Sequence, residues 1–106
     1  MPRKTKIQKL EEVFGWLNET FPVRRRSSFK LDLIDKDFQG YVLYDDEEIE
    51  VVIDKKAPFY VACDTMLHEW THVKSRRAGH GIVFIEWQHR IDEAFWKWRK
   101  TIESKI

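Results

Sequence analysis

The chain has 106 residues and a formal charge of +1, and 42% of its residues are apolar, enough for one domain with a single modest core. Five Trp and seven Phe concentrate the burial in large aromatic side chains, while no apolar run reaches the length of a membrane span. Cys63 is the only cysteine, which excludes an intramolecular disulfide; with no apolar signal segment at the N-terminus, the expected compartment is the reducing cytoplasm and no membrane partner is expected.

An amphipathic helix is predicted over residues 5–19, where Ile7, Leu10, Val13, Phe14 and Leu17 recur at three- and four-residue steps. Pro22 stops it. Arg24, Arg25 and Arg26 form a basic run, and the alternation over 29–33 reads as a strand. After a turn at Asp35, Lys36 and Asp37, residues 38–44 and 49–54 give two more strands, the last alternating Ile49, Val51 and Ile53 against Glu50 and Asp54. Their short connections predict a three-stranded antiparallel meander.

A helix follows Pro58, starting between positions 59 and 65, with Asp64 as one candidate N-cap. It carries His68-Glu69-Trp70-Thr71-His72. Histidines four apart on a helix leave the same face about 6 Å along the axis, the spacing of a two-ligand zinc clamp, and a glutamate directly after the first lies where it can reach a water on the metal. Three specified residues of low abundance coincide by accident in roughly one chain in a few hundred of this length. Met66, Leu67, Trp70 and Val73 supply the apolar side of the same helix, so the histidines stand on an adjoining stripe. Cys63, one turn earlier, fits a small buried residue better than a ligand.

Catalytic zinc usually keeps three protein ligands and an open position. Ala78 and Gly79 look like a helix end, and a chain that reverses there can return His80 toward the metal, with Gly81 leaving room for the backbone. Glu86, His89 and Glu93 are the competing third ligands. They sit on a last helix predicted over 82–102, whose apolar stripe comprises Phe84, Ile85, Trp87, Ile91, Phe95, Trp98 and Ile102.

The pattern His68-Glu-x-x-His72, a short linker, His80-Gly81-x-x-Phe84 and then His89-Arg90-Ile91 resembles the SprT-like metalloprotease domain, the family of Spartan and related DNA–protein crosslink proteases. The match spans residues 65–91, about a quarter of the chain. The resemblance implies a pared-down α+β zincin whose sheet edge lies beside the cleft, with Zn²⁺ on His68, His72 and His80 and with Glu69 as the base in peptide-bond hydrolysis of protein substrates. Tyr41, Tyr44, Tyr60 or an arginine is the candidate oxyanion donor.

Charge is unevenly spread: residues 1–30 carry eight Lys or Arg against three acids, and residues 31–56 three against nine. As the resemblance implies a DNA partner, single-stranded or disrupted, the candidate contacts are Arg24, Arg25, Arg26, Lys74, Arg76 and Arg77. The alternative is a catalytically idle, zinc-stabilised module that binds a protein or nucleic acid.

Overall fold

The computed structural model describes residues 3–76 and 80–103, with side chains described as far as Thr101. The fold is α+β in the order α1 (Lys6–Thr20), β1 (Arg26–Asp32), β2 (Gly40–Tyr44), β3 (Glu48–Asp54), α2 (Phe59–Ser75) and α3 (Ile82–Glu103). Helix α1 opens with a reciprocal cap, in which Gln8 N donates to Thr5 Oγ1 at 3.2 Å and Thr5 N donates to Gln8 Oε1 at 2.8 Å. Its Leu10, Val13 and Leu17 enter the core, while Ile7 stays 45% exposed.

The sheet is mixed, with strand order β1-β3-β2, and this corrects the expected antiparallel meander. Strands β2 and β3 form the predicted hairpin, but β1 pairs with β3 in parallel, Arg26 opposite Glu48 and Leu31 opposite Ile53. Two physical reasons favour this order. The residues 33–39 between β1 and β2 can span the roughly 10 Å of two strand spacings at about 3.3 Å per residue, so β1 is free to skip a place. Charge also selects the neighbour: Arg26 stands opposite Glu48, and Lys30 Nζ lies 3.5 Å from Glu50 Oε1. Strand β3 thereby becomes the central strand, and Val51, Val52 and Ile53 are all fully buried, where simple alternation predicts one polar face.

Helix α2 begins at Phe59, with Pro58 in extended conformation as N-cap, and Ala62 N donates to the Pro58 carbonyl at 2.9 Å. Asp64 is therefore inside the helix and caps nothing, contrary to the expectation. The fully buried Trp70 sends its indole N–H to the Phe21 carbonyl at 3.1 Å, tying α2 to the end of α1. Helix α2 is closed by Arg76, whose N–H still donates to His72 O at 2.9 Å and whose left-handed φ of 57° turns the chain out of the helix. The break predicted at Ala78 and Gly79 lies outside the described residues.

One core joins the sheet to the three helices, with Phe14 packed between Phe29 and Trp70 at centroid distances of 5.1 and 5.5 Å. Helix α3 adds Phe84, Ile91 and Phe95, and Trp98 stacks on Trp16 of α1 at 5.2 Å; the predicted stripe overreaches at Ile85, which is 44% exposed. Among the described residues no helix is long and apolar enough to cross a membrane.

Candidate metal centre

The helical spacing of α2 brings the imidazoles of His68 and His72 to 4.8 Å between centroids, with their Nε2 atoms 3.2 Å apart. His80, just before α3, completes a triangle, its ring 5.2 Å from that of His68 and 5.0 Å from that of His72. One ligand nitrogen from each lies within 4.8 Å of the other two, and no other group of three His, Cys, Asp or Glu among the described residues comes together in this way. A tetrahedral ion at about 2.1 Å from each nitrogen would hold them roughly 3.4 Å apart, close to the 3.2 Å of the His68–His72 pair and inside the 4.8 Å that bounds all three. Burial, followed by the neighbouring His72 and His80, lowers the pKa of His68 and favours the neutral, ligating form.

Phe84, at the first turn of α3 and 2% exposed, packs against all three imidazoles at 5.2, 4.6 and 4.7 Å. It forms an apolar floor under the triangle. The sequence places this phenylalanine four residues after His80 without showing that it touches His68 and His72 as well. Glu86, His89 and Glu93, the competing ligands, are exposed on α3 and outside the cluster, Glu93 pairing with Lys97 at 3.2 Å.

Glu69 is 9% exposed, and burial pushes its carboxyl up to about 7, with His80 opposing the rise. It borders a cleft of about 1130 Å³ lined also by the three histidines, Tyr41, Val42 and Tyr44. Strand β2 is thus the sheet edge beside the triangle. Burial and the Glu69 charge raise the Tyr44 hydroxyl above its ordinary pKa, against Arg25, so the phenol remains a hydrogen-bond donor. Tyr60, 70% exposed, is not part of the lining. Gly40 brings the edge this close: a β-carbon there would stand 2.5 Å from Thr65 Cγ2 and 2.9 Å from Val52 O.

The basic candidates divide. Arg24, Arg25, Lys74 and Arg76 line the cleft, whereas the exposed Arg26 at the start of β1 does not, and Arg77 lies outside the described residues. Lys74 is already engaged, donating to Pro22 O at 2.8 Å and standing 5.1 Å over the Trp87 ring, and burial and then Arg76 lower its pKa. Cys63 is buried, as expected of a packing residue. Comparison of the chain with protein-family models, curated proteins and solved structures gives no match.

Proposed function

We propose that this chain is a zinc-dependent endopeptidase of minimal zincin type, as its resemblance to SprT-like domains implies. The observation that carries the reading is the convergence of His68, His72 and His80 beside a buried carboxylate, at the lip of a cleft bordered by a sheet edge. Zinc held by these three imidazoles supplies Lewis-acid activation of water and of a substrate carbonyl. The chain's own groups do the rest. Strand β2 pairs with an extended peptide backbone through its free edge. Glu69 takes the proton of the attacking water and delivers it to the leaving amine, for which a carboxyl tuned toward neutral pH is suited. Tyr44 donates its hydroxyl hydrogen to the developing oxyanion.

Arg24 and Arg25 on the cleft rim support the further reading that DNA, single-stranded or disrupted, is a partner that brings protein substrates to the site. The cytoplasm suits the single buried cysteine. The test combines metal analysis with peptide hydrolysis. The protein should bind one equivalent of zinc, His80→Ala should lose most of that affinity, and Glu69→Gln should keep the metal while hydrolysis falls at least about a hundredfold. Full zinc binding with no hydrolysis by the wild type, with or without single-stranded DNA, would favour the idle binding module instead.

A further inference from the structure

Strand β1 is the second edge of the sheet, and none of its residues lines the cleft. Its first and last residues turn their backbone toward the neighbouring chain segment: Arg26 N donates to Glu47 O at 3.2 Å, and Asp32 O accepts from Lys55 N at 2.8 Å. Backbone groups alternate along a strand, so Ser27, Phe29 and Leu31 point theirs outward. No strand or loop among the described residues pairs with them. The side chains divide by face. Arg26, Ser28, Lys30 and Asp32 are exposed on one side, while Ser27, Phe29 and Leu31 are half-buried on the helix side, where Phe29 meets Phe14 and Ser27 Oγ donates to Asn18 Oδ1. The exposed row ends badly within the chain: Asp32 faces Asp54, like charges across the ladder, and neither is in an ion pair among the described residues.

We propose that the β1 edge is the interface with a second copy of this chain, paired antiparallel about a two-fold axis at Phe29, so that two three-stranded sheets join into one. The strand is complementary to itself in this register. Arg26 stands opposite Asp32 of the second copy and Ser28 opposite its Lys30, while on the helix side Ser27 meets Leu31 and Phe29 meets its own counterpart. The outward N–H and C=O groups of Ser27, Phe29 and Leu31 then face each other and pair. Charge singles out this register from its neighbours. Centring the axis one residue earlier sets Arg26 against Lys30, one residue later sets Lys30 against its own copy, and both shorten the overlap of the strands. The second copy's arginine also supplies the cation that Asp32 and Asp54 lack. In the joined sheet the two β2 strands are outermost, five spacings or about 24 Å apart, so both clefts stay open. The inference therefore holds whether or not the site is a peptidase.

Sedimentation equilibrium of the full chain should show a monomer–dimer equilibrium with a Kd of about 10–100 μM, the range of a small and partly polar interface. Arg26→Asp and Asp32→Arg should each raise that Kd at least about tenfold, because the symmetry reverses two facing pairs at once. An equimolar mixture of the two variants should dimerise again, since every facing pair is then an aspartate with an arginine. Hydrogen exchange makes the same test without any variant. Between about 5 μM and 1 mM wild-type chain, the amides of Ser27, Phe29 and Leu31 should slow at least about fivefold, while those of Val42 and Tyr44 on the β2 edge keep their rates. A chain that stays monomeric to about 1 mM, or a dimer indifferent to both reversals and to their mixing, overturns the proposal. Slowing at Val42 and Tyr44 in place of the β1 amides would put the contact on the other edge and overturn it as well.

Discussion

A methyl group added at position 40 would meet the Thr65 methyl and the Val52 carbonyl oxygen at once, and only the first of these can be trimmed by mutation. Gly40→Ala is therefore expected to cost about 1–3 kcal/mol, read as a lower urea midpoint at an unchanged slope, with part restored by Thr65→Ser in the double variant. An unaltered midpoint would show that the strand and α2 do not approach as described. Cys63 makes a second residue-scale case. Burial, helped by Asp64 and opposed by Arg99, pushes its thiol from 9.0 up to about 11. Between those values the unfolded chain has lost the proton that the folded chain keeps, so this contribution to stability is complete below pH 9 and is lost as pH rises toward 11. The wild type should lose stability relative to Cys63→Ala over that window. At about pH 8 the folded protein should resist iodoacetamide, whereas the denatured chain reacts. Rapid alkylation of the native protein would contradict the burial.

The ends and partners of the elements are less legible in the residues than their centres. Helices α1 and α3 stand almost where their apolar spacing places them, because that spacing repeats over several turns. The end of α2 departs from the expectation: the chain leaves the helix at Arg76, before the glycine that looks like the stop signal, and forces a residue with a β-carbon into the left-handed region. Arg76→Gly removes that conformational cost and should raise stability by about 1 kcal/mol, measured in the metal-free protein so that changes at His80 do not contribute. A loss of stability would mean that the Arg76 side chain contributes more than its backbone costs. Strand pairing departs further. Nothing in the alternation of β1 distinguishes a neighbour at β2 from one at β3; the connection length permits either, and the facing charges of Lys30 and Glu50 favour the parallel partner.

For the whole molecule, the main core cluster is built from apolar residues of the sheet and the three helices, apart from the three histidines, and the fold is expected to persist without metal. Chelation should leave the far-ultraviolet circular dichroism unchanged. A single zinc at a hundred times its dissociation constant adds about 2.7 kcal/mol, so its removal should lower the melting temperature by roughly 10–20 °C. Global unfolding on chelation would place the metal, rather than Trp70 and its neighbours, at the centre of stability. The helical positions of His68, Glu69 and His72 were readable in the chain alone, since a covalent spacing of four residues sets their common face whatever surrounds them. The α+β order and the apolar stripes were readable for the same local reason. Folding added the approach of Gly40 to Thr65, the Phe84 floor beneath three imidazoles, the engagement of Lys74 by Pro22 and Trp87, and the pairing of β1 with β3 that leaves its outer edge open. Most of these contacts join residues far apart in the chain, and periodicity, which repeats over one or two turns or a few strand positions, carries no record of them.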